Sequence, residues 1–529
     1  MKKIKIIILS VILLGIGYSC TPNFEDINTN PNRTTVGMIQ AYNMFEPLLY
    51  NTANNWLRRT WYYNDELIQF TAHTGGVTRR EHMYFLEENR DWGSFWNFYA
   101  NYGSDANHMY ELAVAQGDRS LEAIALTYRA LLFANMTDMF GSVPYDEAFT
   151  GRKPEGTLTP KFNTQKEVYE AIFSILEEAN DIYATNPTFL NPSMDGMYAG
   201  KMEAWRKFNN SFYLRCLMRV SGRQEMNVGT KMTEILNNSS KYPIFASNDD
   251  NAVVKFSGVD PYISEHGTTT ESAFTSSTYK LTEQLIKMTV ENPAGTSPAA
   301  QGYIDPRLPI IGKKNTVAAS NPNNIWKGTI SGGTEQQRQD ADPGTSWLNY
   351  KVFCRRDAPA TYMDYAEVQF IFAEAALKGY VTGGESVAKS YYEAGVKASM
   401  EKWSEQGAYS ETPTEITSAQ ITEYLASPLG SWDNATVSKE EFLGSQKFLA
   451  LFWVGMEAYH EYRRTGYPVL TIGEGTKTYN DGILPTRFGY PPTTMSTNTA
   501  NASAALREMG GDNNMKTPLW WSKKAIQGN

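Results

Sequence analysis

Few residues in the chain have the types and spacing that catalysis requires. His460 and the glutamate after it are followed by Arg464, where a zinc-protease helix carries its second histidine. Ser-x-x-Lys occurs at Ser277, Ser386 and Ser399, but the Lys-Thr-Gly that accompanies it in penicillin-binding enzymes is missing. Neither Gly-x-Ser-x-Gly nor a phosphate-binding Gly-Lys-Ser/Thr loop occurs. We therefore predict a protein that is not an enzyme and uses no cofactor.

The acidic residues show no pattern that identifies metal or sugar chemistry. The run from Asn248 to Asn251 could favour a cation, but it lacks the spacing of a calcium loop. A solvated turn is the simpler interpretation, and metal binding stays unknown. Glycoside hydrolysis needs two carboxylates at a set separation, and the pair cannot be chosen among 57 acidic residues without a fold. A surface glycoside hydrolase remains an alternative.

The charge of the chain excludes one class of partner. The formal net charge is −9, and it becomes −12 once the three lysines among the first five residues are removed with the leader. Because phosphate backbones are bound by basic surfaces, we expect no nucleic-acid partner. The chain has 32 tyrosines and 12 tryptophans. The polar groups on these rings tolerate partial exposure to solvent, so some of them could face a ligand.

The first residues read as a bacterial lipoprotein leader. Three lysines precede an apolar run over residues 6–16, which is too short to span a bilayer. Ser19 and Cys20 follow shortly after this run. We predict a signal peptide over 1–19, lipidation of Cys20, and a polar surface tether over 20–36. Multiple acyl chains anchor a protein stably, because each buried methylene contributes about 0.8 kcal/mol. An ordinary secretory signal that happens to contain a cysteine is the alternative.

Two adjacent segments give the clearest helical signal. Met363 to Tyr380 has an apolar stripe of helical period, and Ser386 to Trp403 follows a short Gly-Gly break. The small residues of the second segment, Gly395 among them, let a neighbouring helix come close. We predict an antiparallel helical hairpin. The spacing in its second segment resembles the second helix of a tetratricopeptide unit, and an ordinary helical hairpin is an equal alternative.

The remaining chain divides into helical and irregular parts. Gln446 to Arg464 is apolar nearly all round, which predicts one central buried helix. Residues 243–358 are rich in Gly, Ser, Thr, Asn and Pro, with one clear helix near 278–290. So long an irregular stretch is typical of a functional loop region. We predict an all-α, mainly helical fold, with one domain over 37–529 and an irregular insertion at about 243–358.

Nine pieces of the sequence, in order along nearly the whole chain, resemble the SusD/RagB family of outer-membrane nutrient-binding lipoproteins, in its SusD-like 2 branch. The pieces are NFEDINTNPN after Cys20, FGSVPYDEAF from Phe140, WRKFNNSFYLRCLMR from Trp205, YPIFASNDDNA from Tyr242, DPRLP from Asp305, MDYAEVQFIFAEAALKG from Met363, YYEAGVKASM from Tyr391, QKFLALFWVGMEAYHEYRRTGYP from Gln446 and LPTRFGYP from Leu484.

The resemblance implies a fold, a location and a partner. The fold is one of tetratricopeptide-like hairpins with a large loop-rich ligand-binding face. The implied protein is lipid-anchored on the outer membrane at the cell surface, and it delivers oligosaccharides to a SusC-like, TonB-dependent barrel transporter. Peptides in place of glycans are the alternative ligand.

The ligand residues of the family vary with the substrate, so the motifs transfer none of them. Candidates come instead from aromatic residues and hydrogen-bond donors in the loop segments, and for each of them plain packing is an equal alternative. The seven candidates are His73, Arg79, Tyr84, Trp92, Tyr262, Trp326 and Trp347.

Overall fold

The computed structural model describes residues 39–75, 80–277 and 279–527. The predictions on the leader, on Cys20 and on the tether lie outside the described residues, and so does the candidate Arg79.

The described chain is mainly helical, with 54% of residues in helix and 5% in strand, which confirms the predicted fold class. The longer helices are α1 Ala41–Arg59, α2 Gly93–Gln116, α3 Arg119–Phe140, α4 Gln165–Ala184, α5 Met202–Arg219, α6 Val228–Asn237, α7 Glu271–Ser277, α8 Glu283–Thr289, α9 Tyr365–Leu377, α10 Gly384–Gly407, α11 Ser418–Ala426, α12 Lys439–Ala450, α13 Glu457–Thr465 and α14 Thr499–Glu508. Shorter helices span Asp65–Leu67, Leu308–Ile311, Glu335–Gln339, Tyr350–Phe353, Thr476–Asn480, Pro492–Thr497 and Lys523–Gln527.

Helices that follow one another in the chain pack as tetratricopeptide-like hairpins. The predicted pair is α9 with α10. The carboxylate of Asp364 caps α9 by accepting a hydrogen bond from the Glu367 backbone N–H at 2.9 Å. A Cβ atom at Gly395 of α10 would lie 3.0 Å from the ring of Phe370, so the missing side chain permits the close approach that the sequence predicted.

The predicted helix over Gln446–Arg464 is wrong, because the chain breaks between α12 and α13. Trp453 and Gly455 in the break both have positive φ, 66° and 56°. A Cβ atom at Gly455 would overlap the Trp56 ring, so the turn is held by its packing. The break is itself apolar and buried, and hydrophobic periodicity therefore cannot reveal it.

Short strands occur mainly in the irregular segment. The strands are β1 Thr71–His73, β2 Ala252–Val254, β3 Tyr279–Leu281, β4 Gly312–Lys313, β5 Trp347–Leu348 and β6 Ala360–Met363. A four-stranded antiparallel sheet has the order β1–β3–β5–β4, and a two-stranded sheet pairs β2 with β6. The helix predicted near 278–290 begins only at Glu283, since Tyr279 to Leu281 form a strand instead.

A network of buried charges joins the hairpins. Arg215 of α5 pairs with Glu367 of α9, and their side chains are only 5% and 0% exposed. One turn further on, Arg219 pairs with Glu457 and, at 3.6 Å, with Glu461, both on α13. Opposite charges thus compensate each other inside the core, where an unpaired charge would be strongly destabilising.

Candidate functional site

The four-stranded sheet brings Lys280 and Trp347 together. In the strand register Lys280 of β3 lies opposite Trp347 of β5, and Trp347 lies opposite Lys313 of β4. Directly opposite residues of paired strands point to the same face of a sheet. The sheet therefore carries a Lys-Trp-Lys row on one face, built from three separate segments of the irregular region.

Lys280 and Trp347 line a hollow of about 350 Å³, which we call the basin. A hollow of this size lies within the range of small-ligand sites, roughly 300–1,000 Å³. Its wall combines an aromatic ring with polar side chains, which is the composition that a sugar requires. The polar and aromatic side chains of the wall include Thr74, Lys280, Asn315, Arg338, Asp342 and Trp347.

The Lys280 ammonium group is the unusual charge of the basin. Lys280 is 5% exposed, and its Nζ lies 4.0 Å from the centroid of the Trp347 ring. The Thr345 carbonyl accepts a hydrogen bond from Nζ at 3.4 Å, and no carboxylate within the described ranges lies at ion-pair distance from it. Burial lowers the pKa of Lys280 to about 8, and the attraction of Asp342 offsets only part of that shift.

The other charged groups around the basin are already engaged. Arg338 donates to the Thr74 carbonyl at 3.1 Å and pairs with Glu335. Asp342 accepts a hydrogen bond from the Gly344 backbone N–H at 2.6 Å, and it lies 3.3 Å from the Lys327 ammonium group. These pairings hold the rim in place, and none of them gives the Lys280 ammonium group a carboxylate at ion-pair distance.

The same sheet separates two of the predicted site residues. Trp347 is half-buried and lines the basin. His73 of β1 lies opposite Tyr279, one residue out of step with the Lys-Trp-Lys row, so it points to the other face. There its ring packs 5.0 Å from the Tyr279 ring.

Four further candidates lie away from the basin. Tyr84 and Trp92 are packed in the core, with 0% and 4% of their surface exposed. Trp326 is 5% exposed and packs beneath β4, next to Gly312. Tyr262 is half-buried, and its ring packs at a tilt against the Tyr50 ring, with 4.6 Å between the centroids. Three of these rings therefore have almost no free surface, and Trp347 is the candidate that lines the basin.

The sequence analysis missed Lys280 and Arg338. Tyr279, Lys280 and Leu281 alternate apolar, polar and apolar, which is a strand pattern within a stretch that was predicted to be helical. Their partner strand lies far along the chain, so only the fold places Lys280 beside Trp347. Arg338 lies on a five-residue helix whose Thr334 cap was a recognisable signal.

A second hollow, the aromatic cleft, has about 280 Å³ and lies where α10 meets the turn after α12. Its floor is made of Phe353, Trp403, Phe452 and Trp453, and the rings of Phe353 and Trp453 lie 4.2 Å apart. Trp403 and Trp453 are 3% and 8% exposed, so little ring surface is available to a ligand. We therefore regard the basin as the stronger candidate site.

Within the described part of the chain, no three His, Cys, Asp or Glu side chains are grouped so that they could hold a metal ion. The described helices include none with the length and apolar character needed to cross a membrane.

The sequence matches, over residues 31–491, the model of the SusD-like 2 family, whose description is starch-binding associating with the outer membrane. A solved SusD homologue from Bacteroides fragilis superposes with a TM-score of 0.75 at 24% identity, covering 91% of this chain and 100% of its own. A chitin-binding SusD homologue from Flavobacterium johnsoniae gives a TM-score of 0.70 at 21% identity, covering 91% and 98%. At such identities the likeness establishes the fold alone. No protein with a curated description matches the chain.

Proposed function

The chain belongs to the SusD-like 2 family, and from this membership we propose that it is a cell-surface protein that binds oligosaccharides as nutrients and does not transform them. Two observations support a glycan ligand. The family is described as starch-binding, and one structurally similar protein is described as chitin-binding.

The basin is the observation that carries the proposal. Sugar rings have apolar C–H faces that pack on an indole ring, while their hydroxyl groups need hydrogen-bond partners. The half-buried Trp347 supplies the ring surface, and Asn315, Asp342 and Lys280 supply the polar groups around it. A ring surface bordered by hydrogen-bonding groups is the arrangement that a sugar requires.

We propose further that the protein is lipid-anchored through Cys20 and delivers its ligand to a SusC-like, TonB-dependent outer-membrane transporter. The family description, which places these proteins with the outer membrane, supports the location. The transporter partnership rests on the family resemblance. Gentle detergent extraction is expected to recover the protein together with a barrel-sized outer-membrane protein, and recovery as a lone monomer argues against delivery.

The test of the site is Trp347→Ala in the full chain, with ligand affinity measured by calorimetry on an oligosaccharide found by screening. Ring residues at the centre of a site are each worth about 2 kcal/mol or more, so we expect at least a tenfold loss of affinity. The matched control is Trp520→Ala. Trp520 is also half-buried, and Arg223 stacks on it at 5.1 Å, but it does not line the basin.

Three results would count against the proposal. Normal glycan binding by Trp347→Ala would show that the basin is not the site. Binding of peptides but of no glycan by the wild-type chain would show that the ligand class is wrong. Equal losses in Trp347→Ala and Trp520→Ala would mean that the loss comes from general destabilisation and not from the site.

A further inference from the structure

Lys280 carries a positive charge that the described structure does not neutralise. A buried ammonium group is normally paired, because its removal from water is costly. Here the group has one long hydrogen bond, to the Thr345 carbonyl, and a ring contact with Trp347. We propose that the basin is selective for oligosaccharides that carry an anionic group, either a uronate carboxylate or a sulfate ester, which sits against the Lys280 ammonium group. This inference rests on the proposed glycan-binding function.

The nearby carboxylates do not take over this role. Asp342 is held by the Gly344 backbone N–H and by Lys327, at 2.6 and 3.3 Å. Glu335 pairs with Arg338 and lies 3.6 Å from Arg80. Each of these carboxylates is thus engaged with a cation of its own, and Asp342 attracts Lys280 only from beyond ion-pair distance.

The indole N–H of Trp347, beside Lys280, is a hydrogen-bond donor without an acceptor among the described residues. Its nitrogen atom, Nε1, is buried. Buried donors are normally satisfied, and an unsatisfied one is a site where a ligand atom can be bound. An anionic group has several acceptor oxygens, and hydrogen bonds to a charged acceptor are about twice as strong as neutral ones.

The spacing suits an anionic sugar. The Lys280 Nζ atom lies 4.0 Å from the Trp347 ring centroid, and both residues line the basin. Because the ammonium group covers one face of the ring, a sugar binds against the part of Trp347 that stays exposed, and an anionic substituent that reaches into the basin meets the ammonium group there. A neutral sugar in the same position would leave the charge without a counter-ion, and this difference is the physical basis of the selectivity.

The test compares three sets of oligosaccharides of equal length on the full wild-type chain: neutral, uronate-containing and sulfated. We expect the tightest ligand to be anionic, and the uronate and sulfate sets show which anionic group is preferred. In Lys280→Met we expect affinity for the anionic ligand to fall at least tenfold further than affinity for neutral glycans, which lose only one hydrogen-bond donor. Lys439→Met is the control, since Lys439 also stacks on a tryptophan, at 5.2 Å, but away from the basin.

The outcomes separate this inference from the function on which it rests. If neutral glycans bind best, or if Lys280→Met weakens both classes equally, the selectivity is refuted while glycan binding stands. If no glycan of any class binds, both are refuted. The melting temperature of Lys280→Met, which we expect to stay at or above that of the wild type, shows that the variant folds, and Lys280→Gln repeats the test if it does not.

Discussion

Replacing Arg215 by methionine tests the buried charge network that joins the hairpins. The Arg215 guanidinium group donates to Glu367 at 2.7 Å through Nε and to the Tyr362 carbonyl at 2.9 Å through Nη2. Arg215→Met leaves the Glu367 carboxylate buried without its cation. Breaking a buried pair in this way costs about 3–5 kcal/mol of the free energy of unfolding.

The expected change in melting temperature follows from the size of the chain. Unfolding entropy is roughly 2.1 cal/mol/K per residue, or about 1 kcal/mol/K for a chain of this length, so the melting temperature should fall by about 3–5 °C.

Burial already raises the pKa of Glu367 against the attraction of Arg215, and losing Arg215 raises that pKa further. Protonation of Glu367 relieves the unpaired charge, so the loss of unfolding free energy in the variant should become smaller as the pH is lowered.

The assay is scanning calorimetry of the wild type, of Arg215→Met and of the double variant Arg215→Met/Glu367→Met. Because the double variant removes both charges, it should be more stable than Arg215→Met alone. The reasoning is refuted if Arg215→Met melts within a degree of the wild type. It is equally refuted if removing Glu367 as well makes the loss larger.

Three further predictions follow from packing and charge. Trp326→Ala should lower the free energy of unfolding by about 3–5 kcal/mol yet keep ligand affinity in calorimetry, because its ring is core packing; normal melting would contradict this. Gly395→Leu should cost about 1–3 kcal/mol in chemical denaturation, since Phe370 lies 3.0 Å from the added Cβ, and a midpoint equal to that of the wild type would contradict this. Affinity for an anionic glycan should be highest well below pH 8 and fall as the pH rises through about 8, because burial lowers the pKa of Lys280 to about 8; a flat pH profile would contradict this.

The helical part of the fold could be predicted because its signals are local. The stripe and cap of α9, and the small residue of α10 that admits Phe370, all lie within one hairpin. The break at Trp453 could not be predicted, because a turn that is stabilised by packing against Trp56 has the same apolar composition as a buried helix. The one local signal was Gly455.

The candidate site was only partly predictable. Trp347 could be chosen because a tryptophan in a polar, irregular segment is hard to bury. The same argument favoured Trp326, whose ring is nevertheless covered by β4 and the segments around it. Lys280 could not be predicted as a site residue. It lies beside Trp347 because two strands pair across 67 positions of the chain, and the local sequence does not indicate such a register.

The sheet that carries the basin also has a place in the order of folding. Thr71 of β1 pairs with Leu281 of β3, about 210 residues further along the chain. Closing a loop of that length costs about 3 kcal/mol more chain entropy than closing a turn of roughly six residues.

The helical hairpins close short loops and can form early, whereas the Lys-Trp-Lys row exists only when three distant segments have met. A partly folded chain therefore has its helices before it has its basin. Under the proposed function, ligand capture is a property of the completed molecule, and recovery of binding would report the end of folding, whereas helix content would report its beginning.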